Sequence, residues 1–401
     1  MPAVEVPKWE KVIAIPGMLL FGTCTVVVQK FLFEQKAVGL EKYGSEPHKF
    51  AKPWFQTNSM FIGMLLALVV YEVQRCIKKK KSTSNELMTY EDNSQQSNQG
   101  TSHKKLYFVV AAPACCDLIA TSLMNIGLLY IQASVWQMLR GSMVLFSSIF
   151  CAFILKRPHY PYMWWAVLMV TIALGIVGGS YIASTGVGKA GVTQGQVIMS
   201  IFLVVGSQIV QASQIVVEDF LMHDCTASPV LIVGLEGMWG TIITCIVFLP
   251  ITQFIGKPSD EGNGIHEDTI DTFVMMKNNH TLIGFVILYV FVILLYNVTG
   301  MFVTNITSAV FRTILEGLRT LCIWIVQIII FYSIRNTQYG HEHPTLGEEL
   351  SIWSLMQLAG FLLLFTGMLI YNRIIEVPIF KYPPKDAVQK SVDDTPLIEN
   401  E

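Results

Sequence analysis

Ten stretches of roughly 20 largely apolar residues dominate this chain, and that length and character is what a helix needs to cross a bilayer. They run at roughly 12–33, 54–76, 107–130, 134–155, 161–183, 194–220, 229–255, 281–303, 308–333 and 351–372. Such a pattern leaves little room for any other fold class: the expectation is an all-α polytopic membrane protein. Composition agrees, since AVILMFWYC residues make up 52% of the 401 residues and DEKR only 14%, too few charges to cover a water-soluble globule of this size. A net charge of −2 gives no whole-chain argument for nucleic acid as a partner. The eight cysteines lie inside apolar runs or at their edges, so neither a disulfide framework nor a metal site is expected. The first span is too long for a signal-peptide core and lacks a small-residue cleavage site, which reads as a retained signal anchor.

Lys and Arg set the orientation. The segment between spans two and three, the N-terminus, the turn after span four and the C-terminal tail together hold fifteen of them, against eight on the opposite side. That bias places both termini in the cytosol. Residues 1–11 are then a cytosolic N-terminus, 77–105 a disordered cytosolic linker and 376–401 a disordered cytosolic tail. On the lumenal side, 256–280 is acidic, and its Ile270, Phe273, Val274 and Met276 are spaced to lay a short amphipathic helix on the membrane surface. Asn279-His280-Thr281 is a glycosylation sequon on that same side.

The start of span four, Ala133-Ser134-Val135-Trp136-Gln137-Met138-Leu139-Arg140-Gly141, resembles the start of span nine, Ser308-Ala309-Val310-Phe311-Arg312-Thr313-Ile314-Leu315-Glu316-Gly317, in its order of small, aromatic, polar and apolar residues. The two spans stand five apart in the count. An odd-numbered unit inserts in opposite senses in its two copies, so this predicts inverted five-helix repeats over 12–183 and 184–375, with a substrate site near the midplane.

Six ionisable residues stand out within the spans: Asp117, Arg140, Glu236, Arg312, Glu316 and Arg319. Each costs about 2.5–3.5 kcal/mol to place in hydrocarbon and therefore needs a partner or a wet cavity. Arg312, Glu316 and Arg319 share a helix face by their i, i+4 and i, i+3 spacing, and form either a self-satisfied network or part of a cavity wall. Arg140 and Arg319 are the candidates for binding an anionic or carboxylate-bearing substrate, with Asn125 and Gln137 as polar neighbours. Asp117 and Glu236 are candidates for proton coupling, because a desolvated carboxylate binds a proton more readily, or else are fixed counter-ions. Gln208, Gln211, Gln214 and Glu218 line one face of span six, which should look away from lipid. Gly175, Gly178 and Gly179 in span five suggest close helix packing. His341 and His343 flank Glu342 in a lumenal loop, more simply solvated than metal-binding. No P-loop, metal-ligand cluster or nucleophile elbow is present, so no enzyme activity and no cofactor is expected.

Several ordered strings carry a family resemblance. Pro113-Ala114-Cys115-Cys116-Asp117 with Thr121-Ser122-Leu123-Met124, Trp136-Gln137-Met138-Leu139-Arg140-Gly141, Glu236-Gly237-Met238-Trp239-Gly240, Glu267-Asp268-Thr269-Ile270-Asp271 and Arg312-Thr313-Ile314-Leu315-Glu316-Gly317-Leu318-Arg319-Thr320 resemble the F branch of solute carrier family 35, within the drug/metabolite transporter superfamily. The resemblance implies ten helices in two inverted halves, a central cavity and alternating access. Two departures separate this chain from substrate-defined relatives: the loop before span eight lacks the cysteines of the chloroquine-resistance transporters, and Arg319-Thr320 stands where sugar-phosphate carriers have Lys-Thr.

In the tail, Asp393-Asp394-Thr395-Pro396-Leu397-Ile398 fits an acidic dileucine sorting signal through Asp393, Leu397 and Ile398, implying sorting adaptors as partners and a late endosomal or lysosomal membrane, with Golgi or mitochondrial membranes as alternatives. The expected function is secondary-active transport of a small polar, anionic or neutral, organic solute, with the solute and the lipid bilayer as partners and homodimerisation open. The alternatives are a nucleotide-sugar substrate, or a non-transporting scaffold acting through 77–105 and the tail.

Overall fold

A computed structural model describes residues 8–85, 107–153, 160–185, 193–224, 229–255, 264–306, 309–338, 340, 346–380 and 382. The chain is helical, with one two-stranded ribbon. α1 (Lys8–Glu34) leads to β1 (Lys36–Ala37) and β2 (His48–Lys49), which pair antiparallel with Lys36 opposite Lys49. Then follow α2 (Pro53–Asn85), α3 (Ala111–Tyr130), α4 (Ala133–Leu139), a 3₁₀ turn (Arg140–Ser142), α5 (Met143–Phe153), α6 (Pro161–Thr185) and α7 (Gln194–Asp224). α8 (Pro229–Ile243) runs through a π turn (Thr244–Phe248) into α9 (Leu249–Phe254). Last come α10 (Thr269–Asn278), α11 (His280–Ile306), α12 (Ala309–Ile334) and α13 (Ile352–Tyr371).

Among the described residues, nine helices are long and apolar enough to cross a membrane, and they coincide with nine of the ten expected spans. The remaining one, 134–155, is helical but broken: α4, the 3₁₀ turn and α5 contribute 7, 3 and 11 residues in succession. At the other end of the spectrum, α2 runs past its apolar stretch to Asn85, so 77–85 is helix where the sequence suggested disordered linker. Lysine has good helix propensity, and Lys78–Lys81 extend a helix already nucleated by span two. The rest of that linker lies outside the described residues. The π turn has a local cause: the ring of Pro250 would collide with the carbonyl four residues back, at Ile246, in a regular helix.

The helices form two compact units, residues 1–118 with 221–312 and residues 119–220 with 313–401, the chain passing from one to the other within α3, α7 and α12. In the first unit α2 packs antiparallel on α8 through a glycine stripe. A β-carbon at Gly237 would lie 2.2 Å from the Leu65 nitrogen, at Gly234 2.6 Å from the Leu68 side chain, and at Gly240 2.2 Å from the Phe61 ring. Backbones this close are the packing that apolar surroundings favour, since lipid leaves no hydrophobic drive to join helices. α1 lies along α11, with Gly17 against Thr299, and Gly63 of α2 meets Ile293 of α11. Val110, Leu231 and Leu235 join the entry to α3 to α8, and Leu118 packs with Phe61 and Met64.

In the second unit α6 packs antiparallel on α13 through Val170, Ala173 and Leu364. The close-approach glycines here are Gly360 and Gly367, on α13. Gly175 and Gly179, expected to provide that packing, have no atom within 4 Å of a β-carbon position, and Gly178 meets only Ile201 at 3.9 Å. The expected tight contact therefore exists on this pair, but its glycines belong to the opposite helix. Gly127 of α3 fits against the Ser200 carbonyl of α7, and the Gln208 amide donates to the Met124 sulfur at 3.1 Å.

Candidate functional site

The second unit gathers the four residues expected to bind substrate. Asn125 (α3) and Gln137 (α4) are buried, Arg140 opens the 3₁₀ turn and Arg319 (α12) is 3% exposed. Arg140 Nη1 donates to Gln137 Oε1 at 3.3 Å, and its guanidinium sits 5.2 Å from the centre of the Trp136 ring. That ring is fixed by its own indole N–H, which donates 2.8 Å to the Met124 carbonyl. An arginine on an aromatic face keeps its edge donors aimed sideways, ready for a planar acceptor. The turn itself follows from sequence: Gly141 is a poor helix former, and Leu364 of α13 occupies the space a side chain would need, 2.7 Å from its β-carbon position. The Met143 N–H then closes on the Arg140 carbonyl three residues back.

Arg319 is held by Glu316, Nη2 to Oε2 at 3.0 Å, one turn earlier on the same helix. Glu316 is 29% exposed and Arg319 nearly enclosed, an ion pair of the kind that i, i+3 spacing on a helix allows. Arg312 lies on α12, but its side chain is outside the described residues. Gln208 and Gln214 are buried on α7, away from lipid as expected; Glu218 falls outside the described side chains. Asp117 and Glu236, the candidates for proton coupling, are both buried in the first unit, on α3 and α8. Asp393, Leu397, Ile398, His341, Glu342 and His343 lie outside the described residues.

Two buried arrangements escaped sequence reasoning. The first joins the α1–α2 connection to the α9–α11 connection. Asp271, expected on an acidic surface helix, is fully buried and accepts from the Leu40 N–H (2.7 Å), His48 Nε2 (3.1 Å) and Lys52 Nζ (2.8 Å), with Lys52 only 1% exposed. Asp268 caps α10 and accepts from Lys42 and from the Tyr43 hydroxyl at 3.1 Å. Burial alone would raise both carboxyls, but the hydrogen bonds and cations around them prevail and hold both below the usual carboxylate range, Asp271 far below it. Glu267 caps α2, accepting from the Trp54 and Phe55 N–H groups at 2.8 and 2.7 Å, where Pro53 at the first position has no N–H to offer. Among the described residues of that segment, 264–280, the acidic side chains Glu267, Asp268 and Asp271 are thus buried and paired, and of the four expected apolar positions only Ile270 and Phe273 are exposed. Asn279, the sequon residue, spends its amide: Nδ2 donates 3.1 Å to the Lys36 carbonyl and Oδ1 accepts from the Thr281 N–H at 3.0 Å.

The second arrangement lies in the other unit. Glu348, buried in the connection before α13, accepts from the Ser134 N–H at 3.0 Å and the Ser134 hydroxyl at 2.5 Å, while its own N–H donates to the Gln327 carbonyl at 3.1 Å. Gly347 precedes it with φ +78, a conformation glycine adopts without strain. Two surface grooves of about 470 and 450 Å³ are lined by Trp164 and Trp165 with their neighbours and by Ile246–Ile255, apolar side chains that include none of the residues above.

Apolar spans packed on glycine, with charged side chains drawn inside, are the build of a multi-pass membrane protein. A rat protein, Solute carrier family 35 member F6 (Rattus norvegicus), is 29% identical over 359 residues, covering 88% of this chain and 86% of its own. The human protein of that name is 29% identical over 357 residues, with the same coverage, and an uncharacterized protein of Schizosaccharomyces pombe is 29% identical over 272 residues, 67% of this chain and 75% of its own. No family model matches. Over most of its length the chain is thus similar to proteins named Solute carrier family 35 member F6.

Proposed function

We propose that this protein is a secondary-active transporter that moves a small polar organic solute, anionic solutes included, across its membrane by alternating access. The observation that carries the reading is the broken fourth span. Its only charged residue, Arg140, stands on the 3₁₀ turn that interrupts it. Discontinuous spans with a polar break are how transporters build binding sites in a bilayer, and a mid-helix 3₁₀ turn marks a place that bends. Arg140, Gln137, Asn125 and Arg319 are the binding residues in this reading. Asp117 and Glu236 carry the coupling proton.

Helix pairing supports the inverted repeat. Exchanging every span for the one five positions away turns the α1–α11 pair into the α7–α3 pair and α2–α11 into the α8–α3 pair. It returns α2–α8 and α6–α13 to themselves; α1–α11, α2–α11, α3–α7, α2–α8 and α6–α13 are observed, and in the remaining case Val110, the residue before α3, packs on Leu231 and Leu235 of α8. The membrane is endolysosomal, with both termini cytosolic, on the strength of the Lys and Arg bias and the tail signal.

The test is flux into proteoliposomes containing the full chain, incubated with a mixed pool of small organic acids and read by mass spectrometry of the vesicle contents. Wild type should accumulate at least one solute and Arg140→Ala should not, at an unchanged elution profile. Equal accumulation by both would sink the reading. Uptake that ignores an imposed pH gradient would remove the proton-coupling part alone.

A further inference from the structure

The buried face of α12 holds more than its ion pair. Arg319, Thr320, Ile323, Trp324 and Gln327 lie inside, while Leu318, Ile325, Ile329 and Tyr332 look outward. On the inner face two donors have no hydrogen-bond acceptor among the described residues: the indole N–H of Trp324, a residue 9% exposed, and the amide nitrogen of Gln327, 2% exposed. Three residues apart on a helix, they project to the same side. A buried N–H without an acceptor forfeits its whole hydration free energy. Leu would fill the volume of Gln327, and Phe most of that of Trp324, in an apolar span without that loss, so the polar atoms are held against stability. Arg319 stands on the same face, about 12 Å along the axis from Gln327. It is also a donor, paired with Glu316 at 3.0 Å.

We propose that Trp324 Nε1 and Gln327 Nε2 are binding groups for the acceptor oxygens of the carried solute, and that the solute is a small oxo-acid, with one carboxylate and a second carbonyl oxygen. A row of donors along this face suits an anion rich in acceptors, and it disfavours a cation, which brings only donors to donors. This rests on the transport reading above and names the substrate class for that same site.

The test uses the purified full chain and three probes: levulinate (a carboxylate with a ketone), pentanoate (the same chain without the ketone) and putrescine (donors only). Without ligand, Gln327→Leu should melt no lower than wild type and Trp324→Phe lower only by the small cavity its missing ring leaves, because neither removes a made hydrogen bond. A drop of several degrees in both would show that a buried water or a protein group already satisfies them, and would overturn the inference. Levulinate should raise the melting temperature of wild type more than pentanoate does, with no effect from putrescine, and each variant should bind levulinate about tenfold more weakly. Equal response to levulinate and pentanoate also overturns the substrate class and leaves the transport reading standing. Levulinate binding that both variants weaken, together with no flux of any solute in vesicles, would uphold the binding groups and remove the transport reading instead.

Discussion

Alanine at Gly237 and alanine at Gly175 should move stability in opposite directions, although both glycines lie within membrane-spanning helices. At Gly237 the new β-carbon would sit 2.2 Å from the Leu65 nitrogen, 2.5 Å from the Met64 carbonyl carbon and 2.8 Å from the Met64 β-carbon. Two of these three atoms are backbone, so no rotamer change relieves the contact. Ordinary contact distances of about 3.5–4 Å require α2 and α8 to separate by more than 1 Å. A gap of that size forfeits a quarter to a half of the dispersion well for every atom pair along the seam. Overpacking of this kind costs about 1–3 kcal/mol, and the absence of a yielding side chain argues for the upper end. Better helix propensity returns about 1 kcal/mol, leaving about 2 kcal/mol of net destabilisation. At Gly175 nothing lies within 4 Å, so only the propensity term acts and the change stabilises by up to about 1 kcal/mol. The two variants should therefore differ by about 3 kcal/mol. Thermal unfolding of the detergent-purified variants, followed by tryptophan fluorescence, measures this as Gly237→Ala melting several degrees below wild type and Gly175→Ala at or above it. Equal shifts for the two, in either direction, would refute the argument that glycine on α8 is there for backbone proximity.

Other expectations follow from the two buried carboxylate arrangements and the sequon. Asp271→Asn strands Lys52 in a site that excludes solvent and should lower stability by about 3–5 kcal/mol. Because Asp268 and Asp271 are held below the ordinary carboxylate range, their contribution is complete above that range and disappears only as pH falls through their lowered values. The gap between wild type and Asp271→Asn should thus stay constant from neutral to mildly acidic pH, and a gap that closes in mild acid would contradict the ion-paired geometry. Glu348→Gln should cost about 1.5–3 kcal/mol by weakening its bonds to Ser134, and a double-mutant cycle with Ser134→Ala should show coupling between the two. Asn279, whose amide is already engaged one residue before α11, should carry no glycan, so glycosidase treatment should leave the protein's mobility on a gel unchanged.

The helices were legible because a bilayer imposes a length and a composition that few other environments do. Charges inside the spans were legible for the same reason: Arg140 and Arg319 stand out against apolar neighbours. What could not be read was partnership. Asp271 takes its donors from residues 219 to 231 positions earlier in the chain, and Glu348 reaches 214 positions back to Ser134. In sequence both look like ordinary acidic loop residues, since nothing local distinguishes a carboxylate that folds inward from one left in water. The glycines teach the same lesson. Gly234, Gly237 and Gly240 at three-residue spacing and Gly175, Gly178 and Gly179 look alike as strings, yet only the first set is closely packed, Gly234 and Gly237 against the α2 backbone and Gly240 against the Phe61 ring. A small residue permits close approach without specifying which helix will come.

The 3₁₀ turn at Arg140–Ser142 has a consequence for every side chain beyond it. A residue in such a turn advances about 120° rather than 100°, and about 2.0 Å rather than 1.5 Å. Over three residues the α5 segment is wound about 60° ahead of where an unbroken helix would carry it, and pushed about 1.5 Å further along the axis. The span is in effect two screws cut to different phase. A residue-by-residue labelling scan from Ala133 to Phe153 should therefore trace one periodic wave as far as Arg140 and a displaced wave after it. Any relaxation of those three residues to α geometry would turn the whole α5 surface without moving the ends of α4.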